Sequence, residues 1–269
     1  MIDEIFKINT SCHTPFHCIL CKSSLNSFTT EEHIVPHSLG NRFFVLDKGW
    51  VCDKCNNLCS GFEAKVINHT IFGFERVRLG VITKKGKGAR SKYNKISWYT
   101  EKGCGNGTII VDKNDIERVE LYNFLTNNSN KLFFPFHSKY DKYISKLLLK
   151  IGIETISINH SYLYDLDLAK EHILGKNNYL WPYCFIQDKE FEKKLLSLFS
   201  VDTYLYSHAL SSNFDISFID VEKELIMFFK YGVYLFGINL FSRDLKWINY
   251  LEEHNIKVIV APIEFDIKK

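Results

Sequence analysis

Two C-x-x-C pairs, Cys18–Cys21 and Cys52–Cys55, bracket residues 22–51 near the start of the chain. Each pair sets two thiolates on one tight turn, and two such turns complete a tetrahedral four-sulfur zinc site. Any fold of this chain that uses such a site must bring the two turns together. The opening stretch MIDEIFKINTSCHTPF has no basic start followed by an apolar run. No secretory signal is expected, and the expected location is the cytoplasm. There the eight cysteines, at 12, 18, 21, 52, 55, 59, 104 and 184, point to metal rather than to disulfides. Cys12, His13, His17 and Cys59 lie close enough in sequence to stand in for one of the four. The bland alternative is a set of reduced, buried thiols. Four thiolates leave zinc no open position, so the metal is expected to be structural.

A closed zinc site does not explain the polar cluster between the pairs, TTEEHIVPHSLGN, residues 29–41. Ile34 and Val35 suggest a short strand that Pro36 stops. RFFVLDKGWVC follows as a second strand-like run, and a helix is expected from about Lys54. Between and after the zinc pairs the order reads strand, loop, strand, helix.

EEHIVPHSLGN, VCDKCNN and FEAKV together resemble the HNH endonucleases, whose ββα-metal fold is often stapled by two C-x-x-C pairs. The resemblance is close over residues 15 to about 90. It runs more weakly through SKLLLKIGIETI (145–156) and NNYLWPY (177–183). It implies that His33 is the general base and that Glu32 and Asn56 are catalytic residues that bind a divalent metal. The middle position of the motif falls to Asn41 or Asp47. Phosphodiester hydrolysis needs a base near neutral pH and positive charge on the phosphate; an imidazole, with its ordinary pKa of ~6.5, suits the first task. Hard oxygens suit Mg²⁺ or Mn²⁺, while soft thiolates keep zinc. Neighbouring residues on a regular strand face opposite ways, so Glu32 and His33 both serve only if the strand bends or begins there.

Asn56, Ser60 and Glu63 fall on one helix face, which makes Glu63 a further candidate ligand or a partner in an ordinary salt bridge. His37 reads as a phosphate contact or a structural residue. Lys84, Lys85, Lys87 and Arg90 crowd a glycine-containing loop whose charge suits phosphate. A solvated loop is the alternative. Residues 1–111 carry 15 Lys+Arg against 9 Asp+Glu, and residues 112–269 carry 19 against 22. The basic first part suits a polyanion.

The expected architecture is α+β: an N-terminal zinc-stapled ββα module with its basic loop over residues 1–111, then a mixed α/β region over 112–269. The second region is expected to recognise substrate, a partner protein or a second copy of the chain. LIMFFKYGVYLFGINLF (225–241) is interrupted by Lys230, and KYG sits where a turn belongs, so a β-hairpin is expected there rather than a membrane span. SRDLKWINYLEEHNIK reads as a helix capped by Ser242, followed by a strand in VIVAPIEF. The implied activity is metal-dependent cleavage of nucleic acid, DNA in preference to RNA, in restriction or anti-phage defence. The alternative is a zinc-stapled binding or scaffold protein that no longer cuts.

Overall fold

A computed structural model describes residues 17–93, 96–103, 107–111, 139–159, 165–186, 204–209, 213–221, 224–262 and 264. β1 (Glu32–His33) and β2 (Val45–Leu46) form a minimal antiparallel pair, Glu32 opposite Leu46 and His33 opposite Val45. The loop between them holds a single 3-10 turn, His37–Leu39, that follows Pro36. Helix α1 (Asp53–His69) begins directly after Cys52. It buries Cys55, Cys59, Phe62, Val66 and Ile67, the spacing of one apolar stripe at 3.6 residues per turn. Thr70 ends α1 and starts α2 (Ile71–Arg78), its hydroxyl accepting from the Phe72 N–H. The strand–loop–strand–helix order is therefore present, with strands shorter than the apolar run suggested.

β3 (Arg90–Tyr93), β4 (Ile96–Tyr99) and β5 (Ile110–Val111) make a three-stranded antiparallel sheet. Helix α3 (Asp141–Asn159) comes next, then α4 (Asp167–Ile173) and β6 (Tyr183–Ile186). β7 (Tyr204–Ala209), β8 (Phe214–Val221), β9 (Glu224–Tyr231) and β10 (Tyr234–Asn239) follow. The chain closes with α5 (Lys246–Glu253) and β11 (Val258–Ala261). Six of these strands form one antiparallel sheet in the order β11-β6-β10-β9-β8-β7. The 225–241 segment is the β9–β10 hairpin, and among the described residues no helix is long and apolar enough to cross a membrane.

α3 is buried nearly all round. Ile144, Leu147, Leu148, Leu149, Ile151, Ile153 and Ile156 all lie in the main core. Its polar residues must therefore find partners inside the protein. Thr155 and Ser157 return their hydroxyls to the carbonyls of Ile151 and Ile153, both at 2.7 Å. Lys150 and Glu154, fully buried, meet each other one turn apart at 3.1 Å, and the ammonium has further partners outside the helix.

One main core runs from the zinc-pair region into the sheet. Leu20, Ile34, Leu46 and Phe62 belong to it together with Trp181, Phe229 and Phe236. Phe72 of α2 stacks on Phe236 and Tyr231 at 4.9 and 5.7 Å. The β9–β10 turn docks on the same helix, where the Val233 N–H donates to Glu75 Oε1 at 2.9 Å. Gly232 (φ +57°) is required at that turn, because a side chain there would run into the Glu75 carboxylate. Residues on both sides of position 111 thus share a core, and 112–138 lie outside the described residues. A second apolar cluster, with Ile226, Phe228, Trp247 and Leu251, covers the opposite face of the sheet under α5.

Two details depart from expectation. α5 starts four residues after Ser242; the Asp244 carboxylate accepts from the Lys246 N–H at 2.7 Å, while Ser242 Oγ accepts from the Asp244 N–H. β6 was not foreshadowed, because YCFI is too short an apolar run to show a period. It is a strand because it lies between β10 and β11.

Candidate functional site

The Cys18, Cys21, Cys52 and Cys55 sulfurs all lie within 4.8 Å of one another. Among the described residues this is the one group of three or more Cys, His, Asp or Glu ligand atoms gathered so closely. Cys18 N–H bonds to the Ser23 carbonyl and Lys22 N–H to the Cys18 carbonyl, closing the first knuckle with Lys22 at φ +60°. The Ile19 N–H then donates to the Trp50 carbonyl at 3.0 Å, which carries the first pair alongside the second. Asn26 Nδ2 sits 3.4 Å from Cys52 Sγ, a donor to a thiolate. Four sulfurs at these separations, with a donor beside them, fit zinc. Of the alternative ligands, Cys59 is buried on α1 outside this group, His17 is exposed, and Cys12 and His13 lie outside the described residues.

The first turn of α1 holds the segment leading into β1. The Asp53 carboxylate accepts from the backbone N–H and hydroxyl of both Thr29 and Thr30, at 2.8 to 3.1 Å for the closest bond of each kind. Hydroxyl donation from Ser27, Thr30 and Thr29 keeps its pKa well below the usual carboxylate range. Asn56 Nδ2 donates to Thr30 Oγ1 at 3.0 Å and to the Glu31 carbonyl at 3.2 Å. With those bonds made by the nitrogen, the amide oxygen is the end left to accept.

Asn41 is buried and ties the β1–β2 loop. Its nitrogen donates to the carbonyls of Val35 and Phe44 at 2.6 and 2.8 Å, and its oxygen accepts from the N–H groups of Phe43 and Phe44. Asp47 lies exposed just past β2.

His33 and His37 meet edge-on with ring centroids 5.4 Å apart. His33 is half-buried, and its Nδ1 is buried without a partner. Burial, followed by the charges of Lys84, His37 and Lys150, pushes the His33 pKa down to about 4. Burial, then Lys84 and Arg42, also lowers that of His37. The imidazole of His33 is therefore neutral at pH 7, the form a proton acceptor needs. Lys84 acts on both rings from a tight turn over residues 83–87. Thr83 N–H bonds to the Lys87 carbonyl, Gly86 N–H bonds to the Thr83 carbonyl, and Gly86 takes φ +72°. Lys84, Lys85 and Lys87 are exposed on that turn. Arg90 lies on β3 with its guanidinium 4.9 Å over the Tyr99 ring.

Glu32 and Glu63 come together, but around a cation that sequence reading missed. Lys150 Nζ lies 2.7 Å from Glu32 Oε1, 3.1 Å from Glu63 Oε1 and 3.1 Å from Glu154 Oε2. It also donates to the carbonyls of His33 at 2.8 Å and Ile34 at 3.3 Å. Burial works against a charged Lys150, yet Glu154, Glu63 and Glu32 outweigh it and hold its pKa well above the ordinary value. Burial raises the pKa of Glu32 against the pull of Lys150. Glu32 Oε2 is buried with no hydrogen-bond partner. A lysine inside an otherwise apolar helix, four residues before a glutamate, was the available signal.

A family model described as HNH endonuclease matches residues 18–70. The match begins at the first zinc-pair cysteine and ends at Thr70, where α1 stops. No curated protein and no solved structure matches the chain.

Proposed function

We propose that this chain, whose residues 18–70 match the HNH endonuclease model, hydrolyses phosphodiester bonds with His33 as general base. The observation that carries the reading is the half-buried His33, its Nδ1 without a partner and its ring edge-on to His37 at 5.4 Å. The imidazole takes a proton from water as the oxygen attacks phosphorus, the P–O bond to the leaving oxygen breaks, and that oxygen takes a proton from solvent; a phosphate anion beside the ring favours the imidazolium that forms. His37, Lys84, Lys85, Lys87 and Arg90 contact phosphates and set affinity rather than sequence choice. The zinc on Cys18, Cys21, Cys52 and Cys55 keeps the fold.

A divalent Mg²⁺ or Mn²⁺, if held here, would supply positive charge against that developing on the phosphate. Glu32 and Asn56 would hold it, with Glu63 a further ligand. The orphaned buried Glu32 Oε2 and the free end of the Asn56 amide are hard oxygens that fit such an ion. The proposed substrate is DNA and the proposed setting restriction or anti-phage defence, both carried over from the family resemblance.

The test is incubation of the full chain with plasmid DNA and with RNA, in Mg²⁺, Mn²⁺ or EDTA. His33→Ala is expected to lower cleavage by ~10²–10⁴ with zinc content and DNA affinity retained. Glu32→Ala and Asn56→Ala are expected to cut weakly and to recover in part at higher metal concentration, which His33→Ala does not. Wild-type rates in His33→Ala remove the assigned base and make His37 the next residue to test. A wild type that binds but cuts no nucleic acid with any of these metals favours the binding or scaffold protein.

A further inference from the structure

Lys150 belongs to α3, 80 residues beyond the end of the matched segment, yet it reaches the backbone of the histidine at the centre of the site. We propose that Lys150 is a positioning residue for the cleavage site: its ammonium fixes the carbonyls of His33 and Ile34 and the carboxylate of Glu32. It thereby sets where the imidazole and the candidate metal-binding oxygen stand. This inference rests on the nuclease reading above. It adds that the module over residues 18–70 is incomplete without a helix from the second half of the chain.

β1 and β2 are two residues long, so strand pairing alone gives the His33 backbone little rigidity. Side chains hold the surrounding segment at three places. Asp53 and Asn56 hold residues 29–31. Asn41 holds Val35, Phe43 and Phe44. Between them Lys150 holds residues 32–34.

The ammonium faces five oxygens from three directions: β1 and its continuation, Glu63 of α1, and Glu154 one turn along α3. Glu63 and Glu154 keep it charged in a place where burial alone would not. The three carboxylates share the ammonium through Glu32 Oε1, Glu63 Oε1 and Glu154 Oε2, which leaves Glu32 Oε2 free for the candidate metal. Buried side chains on helices make the most rigid support for a site, and a displacement of ~1 Å in a reacting group costs up to ~10²-fold in rate.

The test uses the full chain carrying Lys150→Met with Glu154→Gln. The pair removes the ammonium together with the Glu154 carboxyl, so no buried acid on α3 is left without its partner. Zinc content and cooperative unfolding are expected to persist, with KM for plasmid DNA within about twofold and kcat reduced about tenfold or more. The imidazole NMR signals of His33, assigned by their loss in His33→Ala, are expected to shift, while those of His254 on the far side of the sheet stay in place. A folded, zinc-loaded double variant with wild-type kcat and unmoved His33 signals overturns the proposal and leaves Lys150 a buried counter-charge. If the double variant does not fold, Lys150→Arg keeps the charge but moves the donors, and is read by the same kcat and the same signals. If the wild type does not cut, the nuclease reading fails, and the His33 signals alone decide whether Lys150 positions that residue.

Discussion

Two buried charged clusters flank the same short hairpin and solve one electrostatic problem in opposite ways. Cys18, Cys21, Cys52 and Cys55 gather their sulfurs within 4.8 Å and call for a cation from outside. Glu32, Glu63 and Glu154 surround a cation that the chain itself supplies, Lys150. The first cluster joins the residues before β1 to the start of α1. The second joins β1 and α1 to α3. An external ion binds with high affinity but is removable, whereas an internal ammonium stays and its carboxylates must be matched to it permanently. The pairing teaches that the segment matching the HNH endonuclease model has a place for a detachable clip on one side and a permanent clip on the other.

The largest effect that separates the two is metal removal. Stripping zinc with a chelator, or changing any one of the four cysteines to Ser, is expected to cost ~10 kcal/mol or more of folding free energy. Denaturant unfolding with parallel elemental analysis measures it. Folded wild type that contains no zinc breaks the comparison, because both clusters would then be internally neutralised.

Lys150→Met is expected to cost less, ~3–5 kcal/mol, because it leaves two buried carboxylates, Glu32 and Glu154, and the part-buried Glu63 without their partner. Chelator has no part in that loss, and zinc is expected to remain bound to whatever fraction stays folded. A loss under ~1 kcal/mol in the same denaturant assay would mean the carboxylates take up protons at little cost.

Acid sharpens the contrast by a smaller amount. His33 and His172 both have folded pKa values of about 4, each lowered first by burial. The unfolded value is ~6.5, so between about 4 and 6.5 the unfolded chain binds more protons. Stability therefore rises with pH across that window and is lost as pH falls through it. His172 contacts Ser145 of α3, the helix that carries Lys150, at 3.3 Å. His172→Gln is expected to flatten part of the slope between pH 6.5 and 5. Zinc content, followed in parallel, separates this loss from acid release of the metal. An unchanged slope would remove His172 from the account.

The smallest effect on stability, within ~0.5 kcal/mol, is expected from changing Lys84, Lys85 and Lys87 together to Ala, since all three are exposed. The readout there is affinity for duplex DNA against salt. Each lost phosphate contact lowers the log–log slope by ~0.9. An unchanged slope marks the turn as merely solvated.

Much of the module was legible because its determinants are local. The C-x-x-C spacing announces its own turns, and the α1 stripe of Cys55, Cys59, Phe62 and Val66 is a helical period. The run interrupted by Lys230 declares a hairpin, which is β9–β10. His33 stood out because a histidine between an acidic pair and Ile-Val-Pro is an unusual string. Strand lengths were less legible. Val45 and Leu46 alone pair from a longer apolar run, since pairing depends on the partner's reach as well as on composition.

The sequence by itself determined the sulfur clip, the order of β1, β2 and α1, the acidic–histidine string between them and the uneven charge of the two halves. Each follows from residues close enough along the chain for spacing to dictate geometry. Only the tertiary structure decided that Glu32 and Glu63 share Lys150, that Lys84 bears on His33 and His37, and that β6 is a strand. Those relations span separations such as the 117 residues from His33 to Lys150. Across such distances no periodicity constrains which side chains meet. A buried ammonium finds its carboxylates only once the apolar surface of α3 has packed against α1, and that packing is a property of the whole core.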